Sequence, residues 1–218
     1  MGRKSVSKER NLNPKKREKY GKLLMPIFQV NGLKKFTMDD LADELGVSKA
    51  TLYHYFTSKE DIVGYVLKDI LWRIKEFVPV LQNKELDYLD RYFQALKIMS
   101  TNVVDVSNIF LQDLQEDHPK LWSLVDQFKN YAIEILKDFY NEGKSAGVFN
   151  NFSTDILALG DSLFFDALSN PEILASHNLT IGEAFEAYFK MKCFGLFTNK
   201  EQSDIWKRVN KILDEPSL

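Results

Sequence analysis

The stretch LADELGVSKATLYHYF, residues 41–56, constrains this chain more than any other. It holds two helix-forming segments too short to be stable without packing, divided by Gly46 and Val47. Thr37 begins the first, with Asp40 three positions later, the spacing at which a hydroxyl and a carboxylate cap one another's backbone N–H groups. Ser48 is placed to cap the second. Leu41, Ala42, Leu45, Val47, Leu52 and Phe56 recur at helical spacing, so their joint burial fuses the two segments into one unit. Two short helices around a glycine turn are the geometry of a helix-turn-helix, whose second helix enters a DNA major groove.

The opposite face of the second segment carries Ser48, Lys49, Thr51, Tyr53, His54 and Tyr55. Their hydroxyl, ammonium and imidazole groups suit phosphates and base edges. The plain alternative is a three-helix corner with an incidental polar face. Three aromatic residues at 53–55, two of which cannot join Leu52 and Phe56 inside, argue against it. Lys49 is the best reader of a guanine edge, since a cation matches the O6 and N7 acceptors, while Tyr53 and Tyr55 suit the sugar-phosphate backbone.

Charge is divided along the chain in the same sense. Residues 1–60 hold 13 lysines and arginines against 7 aspartates and glutamates, a net of +6, whereas the remainder nets −8. A basic module on an acidic body places the polyanion at the N-terminal end. Arg3, Lys4, Lys8 and Arg10 form either an arm for a flanking minor groove or a solvated tail.

Helical periodicity continues to the end of the chain without alternating strand patterns, so the fold is all-α. Asn13-Pro14 starts a first helix that Gly32 stops, with a kink or break expected at Pro26, which cannot donate to the carbonyl of Lys22. Thr57 or Ser58 caps a fourth helix running to about residue 77. Further helices are expected over 86–100, 103–116, 119–146, 154–169, 180–198 and 201–214, with Asn170-Pro171 as a stop.

Residues 36–67, with VSKATLYHYFTSKED as their core, closely resemble the tetracycline-repressor-like (TetR) family of transcriptional regulators. The resemblance implies an N-terminal three-helix DNA-binding domain over residues 1–57, with an arm at about 1–12, and a C-terminal ligand-binding and dimerisation domain over 58–218. It implies DNA contacts from Ser48, Lys49, Thr51, Tyr53, His54 and Tyr55, with Thr37 and Lys59 on phosphates. It further implies a homodimer formed by the last two long helices. Ala158, Ser162, Phe165, Ala184, Ala187 and Tyr188 are their candidate interface residues. A dimer spaces two recognition helices about 34–36 Å apart, which makes the operator an imperfect palindrome.

Aromatic residues are dense after residue 70, and at helical spacing such residues are more often core than pocket. A pocket among Tyr92, Phe93, Phe110, Trp122, Phe128, Tyr131 and Phe165 suits a small hydrophobic or aromatic effector. The competing use of the C-terminal domain is to bind a protein partner. Catalysis is the remote alternative: no Gly-rich phosphate loop, G-x-S-x-G elbow or histidine pair at i, i+4 is present, and Cys193 lies in an apolar helix as an inert thiol. The three histidines are too scattered for a zinc cluster, and no cofactor is expected. Charges fill the N-terminus where a signal peptide needs an apolar stretch, and no apolar run spans a membrane, which places the chain in the cytoplasm.

Overall fold

The computed structural model describes residues 13–104, 106–198 and 205. The helices are α1 (Pro14–Asn31), α2 (Met38–Glu44), α3 (Lys49–Tyr55), α4 (Lys59–Lys75), α5 (Phe77–Gln82), α6 (Tyr88–Val104), α7 (Asn108–Asp117), α8 (Pro119–Ser145), α9 (Thr154–Leu168), α10 (Pro171–Ser176) and α11 (Ile181–Leu196). Among the described residues the only strand-like pairing is one antiparallel bridge between Phe149 and Phe197, which ties the turn after α8 to the end of α11. The expected arm and the helix over 201–214 lie outside the described residues, apart from the buried Ile205.

Side-chain caps set most of the boundaries. The Asn13 carboxamide accepts from the N–H of Lys15, Ser58 accepts from Asp61, and Ser107, Ser153 and Thr180 do the same for α7, α9 and α11. Gly32 closes α1 at φ +75°, donating its N–H to the carbonyl of Phe28. The expectation of a break at Pro26 is corrected, because α1 runs through it. Leu24 and Phe28 on either side of Pro26 are fully buried, while Pro26 faces solvent, where water can satisfy the carbonyl it leaves free.

Two short helices go beyond what the sequence pattern predicts. In α5, Pro79 is the third residue, where no intrahelical donor is needed. In α10, Asn170 accepts from the N–H groups of Glu172 and Ile173 with Pro171 following, so this dipeptide ends one helix and starts another.

Helix α4 joins the two ends of the fold by packing on α1, α6 and α8. Its N-terminus is held by Arg17 of α1, whose guanidinium lies 2.5 Å from Asp61 and over the rings of Phe56 and Tyr65 at 4.9 and 5.4 Å. Leu24, Phe28, Leu41, Leu52, Phe56, Ile62 and Val63 form a fully buried seam through α1–α4. Each such side chain contributes about 1.5–3 kcal/mol by leaving water, enough together to hold two seven-residue helices that could not persist alone.

Candidate nucleic-acid interface

The α2–α3 turn is built by backbone chemistry at Gly46, whose φ of +63° would strain any residue with a side chain. Its N–H donates to Asp43 at 2.9 Å and that of Val47 to Ala42 at 3.0 Å, closing α2. Ser48 then caps α3 by accepting from the N–H of Thr51 at 3.1 Å, and the two hydroxyls lie 2.8 Å apart. Leu52 and Phe56 point inward with no exposure. Ser48, Lys49, Tyr53 and His54 are left on the outside, and Thr51 is half-buried.

Three of the expected contact residues are placed differently from the sequence reading. Tyr55 is only 8% exposed, against 38% for Tyr53. Its ring meets Tyr20 edge-on at 5.3 Å and His54 at 4.9 Å, so Tyr55 packs α3 onto α1 rather than standing with the outward set. Thr37 is exposed, but its N–H and its hydroxyl both donate to Asp40 at 2.7 Å, so a phosphate reaches these donors only by displacing that carboxylate. Lys59, the first residue of α4, is half-buried. Burial lowers its pKa, opposed by the nearby carboxylates of Asp117 and Asp113 in α7.

Lys49 is exposed and its ammonium rests between the two oxygens of Asp39 in the first turn of α2, at 2.7 and 2.9 Å. That ion pair raises the lysine pKa, so the side chain is a full cation at neutral pH. Exposed Lys15, Lys16 and Lys19 add positive charge along the start of α1.

In the C-terminal body, α4, α6, α7, α8, α9 and α11 line a half-open cavity of about 120 Å³. Its walls are mainly aliphatic, including Leu67, Ile70, Leu71 and Ile74 of α4, Met99 and Val103 of α6 and Ile181 of α11. The polar lining groups are already engaged. The hydroxyl of Ser169 donates to the carbonyl of Phe165 at 2.8 Å, and the Lys129 ammonium pairs with Asp166 and Asp126 at 2.8 and 3.0 Å.

Of the seven aromatic residues expected at a pocket, Phe110, Phe128 and Phe165 line this cavity. The other four are corrected. Tyr92 and Phe93 belong to a separate buried cluster with Phe139, Phe149 and Phe197. Trp122 is half-buried against the core, and Tyr131 is exposed with the Lys75 ammonium 5.3 Å above its ring. Aromatic density marks where rings pack on rings. The cavity forms where branched aliphatic side chains meet.

Residues 25–66 match the family model described as "Bacterial regulatory proteins, tetR family". The HTH-type transcriptional regulator YvaF of Bacillus subtilis is 27% identical over 167 residues, covering 76% of this chain and 88% of its own. Among solved structures, a TetR-family transcriptional regulator from Marinobacter aquaeolei superposes with a TM-score of 0.71 at 15% identity, covering 90% of this chain and 98% of that one. The ketosteroid transcriptional regulator KstR2 of Mycobacterium tuberculosis gives 0.60 at 19% identity, covering 84% and 96%. In sequence over this N-terminal stretch, and in fold over most of its length, the chain is similar to TetR-family regulators. It is a DNA-binding transcriptional regulator and not an enzyme. Among the described residues, no helix is long and apolar enough to cross a membrane.

The helices to which TetR resemblance assigns pairing, α9 and α11, do bare an apolar surface, but through different residues from those expected. Ala158, Phe165 and Ala184 are buried in the chain's own core, and Ser162 and Tyr188 are half-buried. Tyr188 stacks on Phe164 with ring centroids 3.9 Å apart. Only Ala187 of the six is exposed. The outer face of α9 carries Ile156, Leu159 and Leu163, at 66%, 53% and 61% exposure, with the exposed carboxylates of Asp155 and Asp166 towards its ends, and is joined on α11 by Met191 at 69%. Small residues allow close approach wherever they lie, and in α9 they serve the approach to this chain's own helices.

Behind that surface the two helices are tied by a buried polar cluster. Asp161 of α9, with no exposure, accepts from the hydroxyls of Tyr140 at 2.7 Å and Tyr188 at 3.0 Å and pairs with Lys192 of α11 at 2.5 Å. Next to it, burial pushes the Cys193 thiol up to about 12, leaving it an unreactive core side chain.

Proposed function

We propose that this protein is a ligand-responsive repressor that binds a palindromic operator as a homodimer. Residues up to 57 form the DNA-binding unit, and those from 58 onward sense the ligand and pair the subunits. The observation that carries the reading is the two-sided α3: Leu52 and Phe56 sealed inside, with Ser48, Lys49, Tyr53 and His54 facing out. Lys49 reads a guanine, Ser48, Thr51 and His54 contact base edges or phosphates beside it, and Tyr53 and Lys59 hold the backbone. Thr37 and Tyr55 serve chiefly by fixing α2 and α3.

Dimer formation follows from the outer face of α9 and α11, where Ile156, Leu159, Leu163, Ala187 and Met191 gain from leaving water against the same face of a second chain. For the effector, the cavity supports a small uncharged molecule rich in hydrocarbon over a protein partner, since its walls offer no free polar group.

The test is selection of binding sites from random double-stranded DNA by the purified protein. An inverted repeat is expected, with half-sites about one helical turn apart and affinity that falls as salt rises. Absence of any salt-sensitive binding would overturn the proposal. Lys49→Ala is expected to relax the preference at one position of each half-site, and an unchanged motif removes the guanine-reading role from this residue.

A further inference from the structure

One helix belongs to both ends of the molecule. On its inner side, α7 presents Phe110 and Leu111 to the cavity, with Val106 just before it lining the same space. On its other side it holds the loop between α1 and α2. The buried carboxylate of Asp113 accepts through Oδ2 from the backbone N–H groups of Leu33 at 2.6 Å and Lys34 at 3.0 Å. These donors come four and three residues before Thr37, which caps α2. Two further bonds clasp the same helix: the N–H of Ser107 donates to Gln29 of α1 at 2.6 Å, and Lys34 pairs with Glu116.

The fit at Asp113 leaves no slack. Gly32, at φ +75°, presents its bare Cα to this carboxylate, and a Cβ there would lie 2.5 Å from Oδ2 and 2.9 Å from Ile109. A loop held by two charge-assisted bonds to one carboxylate moves with the helix that carries it. The same helix forms one wall of a half-open cavity of about 120 Å³, so an occupant bulkier than a single ring presses on that wall.

We propose that Asp113 is the positioning residue through which occupancy of the cavity reaches the DNA-binding helices. In the empty state its carboxylate sets the 33–34 backbone and hence the orientation of α2 and α3. A filled cavity shifts Phe110 and Leu111, and Asp113 carries the shift to the loop. The inference rests on the ligand-responsive reading above and adds to it the residue that transmits the response.

The experiment fills the cavity by substitution, so no effector has to be known. Ala132→Leu adds bulk to the cavity from α8, which packs on α7, and Val125→Phe is a second filler on the same helix should the first fail to fold. Each is combined with Asp113→Ala, which removes the latch, and with Asp113→Asn, whose amide oxygen can still accept both N–H bonds. Two quantities are read on the full chain: hydrogen exchange at the Leu33 and Lys34 amides, and affinity for the duplex obtained by selection.

With the native carboxylate in place, or with the acceptor that Asp113→Asn retains, filling is expected to speed exchange at both amides and weaken DNA binding by about tenfold. With Asp113→Ala the amides exchange fast from the outset, and filling no longer changes affinity. A filling effect on affinity of equal size with and without the acceptor overturns the proposal and leaves ligand response standing. Altered amide exchange with unaltered affinity also overturns the proposal, because the shift then stops at the loop and does not reach the DNA-binding helices. If neither quantity responds to filling, ligand response falls with it.

Discussion

Helices α3 and α9 each turn one face inward and one outward, and their outer faces are opposite in kind. On α3 the exposed polar groups are an ammonium, a phenol and an imidazole; the middle of α9 exposes the hydrocarbon side chains of Ile156, Leu159 and Leu163, with carboxylates only towards its ends. A polar face keeps its water until a polyanion replaces it, so it needs no partner to remain soluble. An exposed aliphatic row gains free energy only against another dry surface. On the reading proposed above, the two faces suit different partners, DNA for the first and a second copy of the chain for the second.

The largest effect is expected from making the α9 face resemble the α3 face. Ile156→Asp combined with Leu163→Asp puts two charges into the centre of the proposed dimer surface while leaving the chain's own core untouched. Sedimentation equilibrium is expected to show a shift from two chains to one. Operator affinity should fall by at least about 100-fold, because one recognition helix loses the help of the other. A variant that remains dimeric would remove α9 from the interface.

A second substitution tests what holds that face in place. Asp161→Ala leaves the Lys192 ammonium buried without its counter-charge, which costs about 3–5 kcal/mol. Chemical denaturation is expected to show a loss of this size, together with weakened dimerisation as α9 and α11 lose their common tie. A loss below about 1 kcal/mol would mean that water reaches Lys192 and that the cluster contributes little to the helix pairing.

On α3 the same contrast can be drawn between two nearby tyrosines. Tyr55→Ala removes a buried ring packed on Tyr20 and is expected to cost about 3 kcal/mol of stability. Tyr53→Ala should leave stability within about 0.5 kcal/mol and act on DNA affinity instead. Denaturation curves and binding isotherms on both variants separate the effects. Equal destabilisation by the two would show that the inward and outward faces of α3 have been misassigned.

These residues also show how much was legible in the sequence. Glycine, proline and capping side chains act over three or four positions, so Asn13, Gly32, Thr37, Gly46, Ser48 and Ser58 marked helix ends where the structure has them. The seam of Leu41, Leu52 and Phe56 followed from helical spacing. Which partner a buried face meets is not a local property. Tyr55 lies beside two exposed aromatics, yet Tyr20, thirty-five positions earlier, decides its fate. The same applies to α9, where size alone suggested Ala158 and Ser162 for the interface. Asp113 reads as one more acidic residue in NIFLQDLQED until the fold brings it to the amides of Leu33 and Lys34.

The smallest effect tests whether the body's polar contacts act independently of its apolar face. Glu142 of α8 accepts from Arg91 and Tyr88 and pairs with Lys84, and the hydrogen bond from Arg91 leads in holding its pKa down at about 2. A carboxyl whose folded pKa lies below its ordinary value of 4.5 adds stability that is fully present above about pH 4.5 and is lost as the pH falls towards 2. Glu142→Gln is expected to flatten that part of the stability curve while leaving the apolar surface of α9 and α11 intact. Denaturation midpoints measured between about pH 2 and 6 check it. An unchanged slope would mean that Glu142 is solvated in the folded state, and that Arg91 is held by the carbonyl of Leu81 alone.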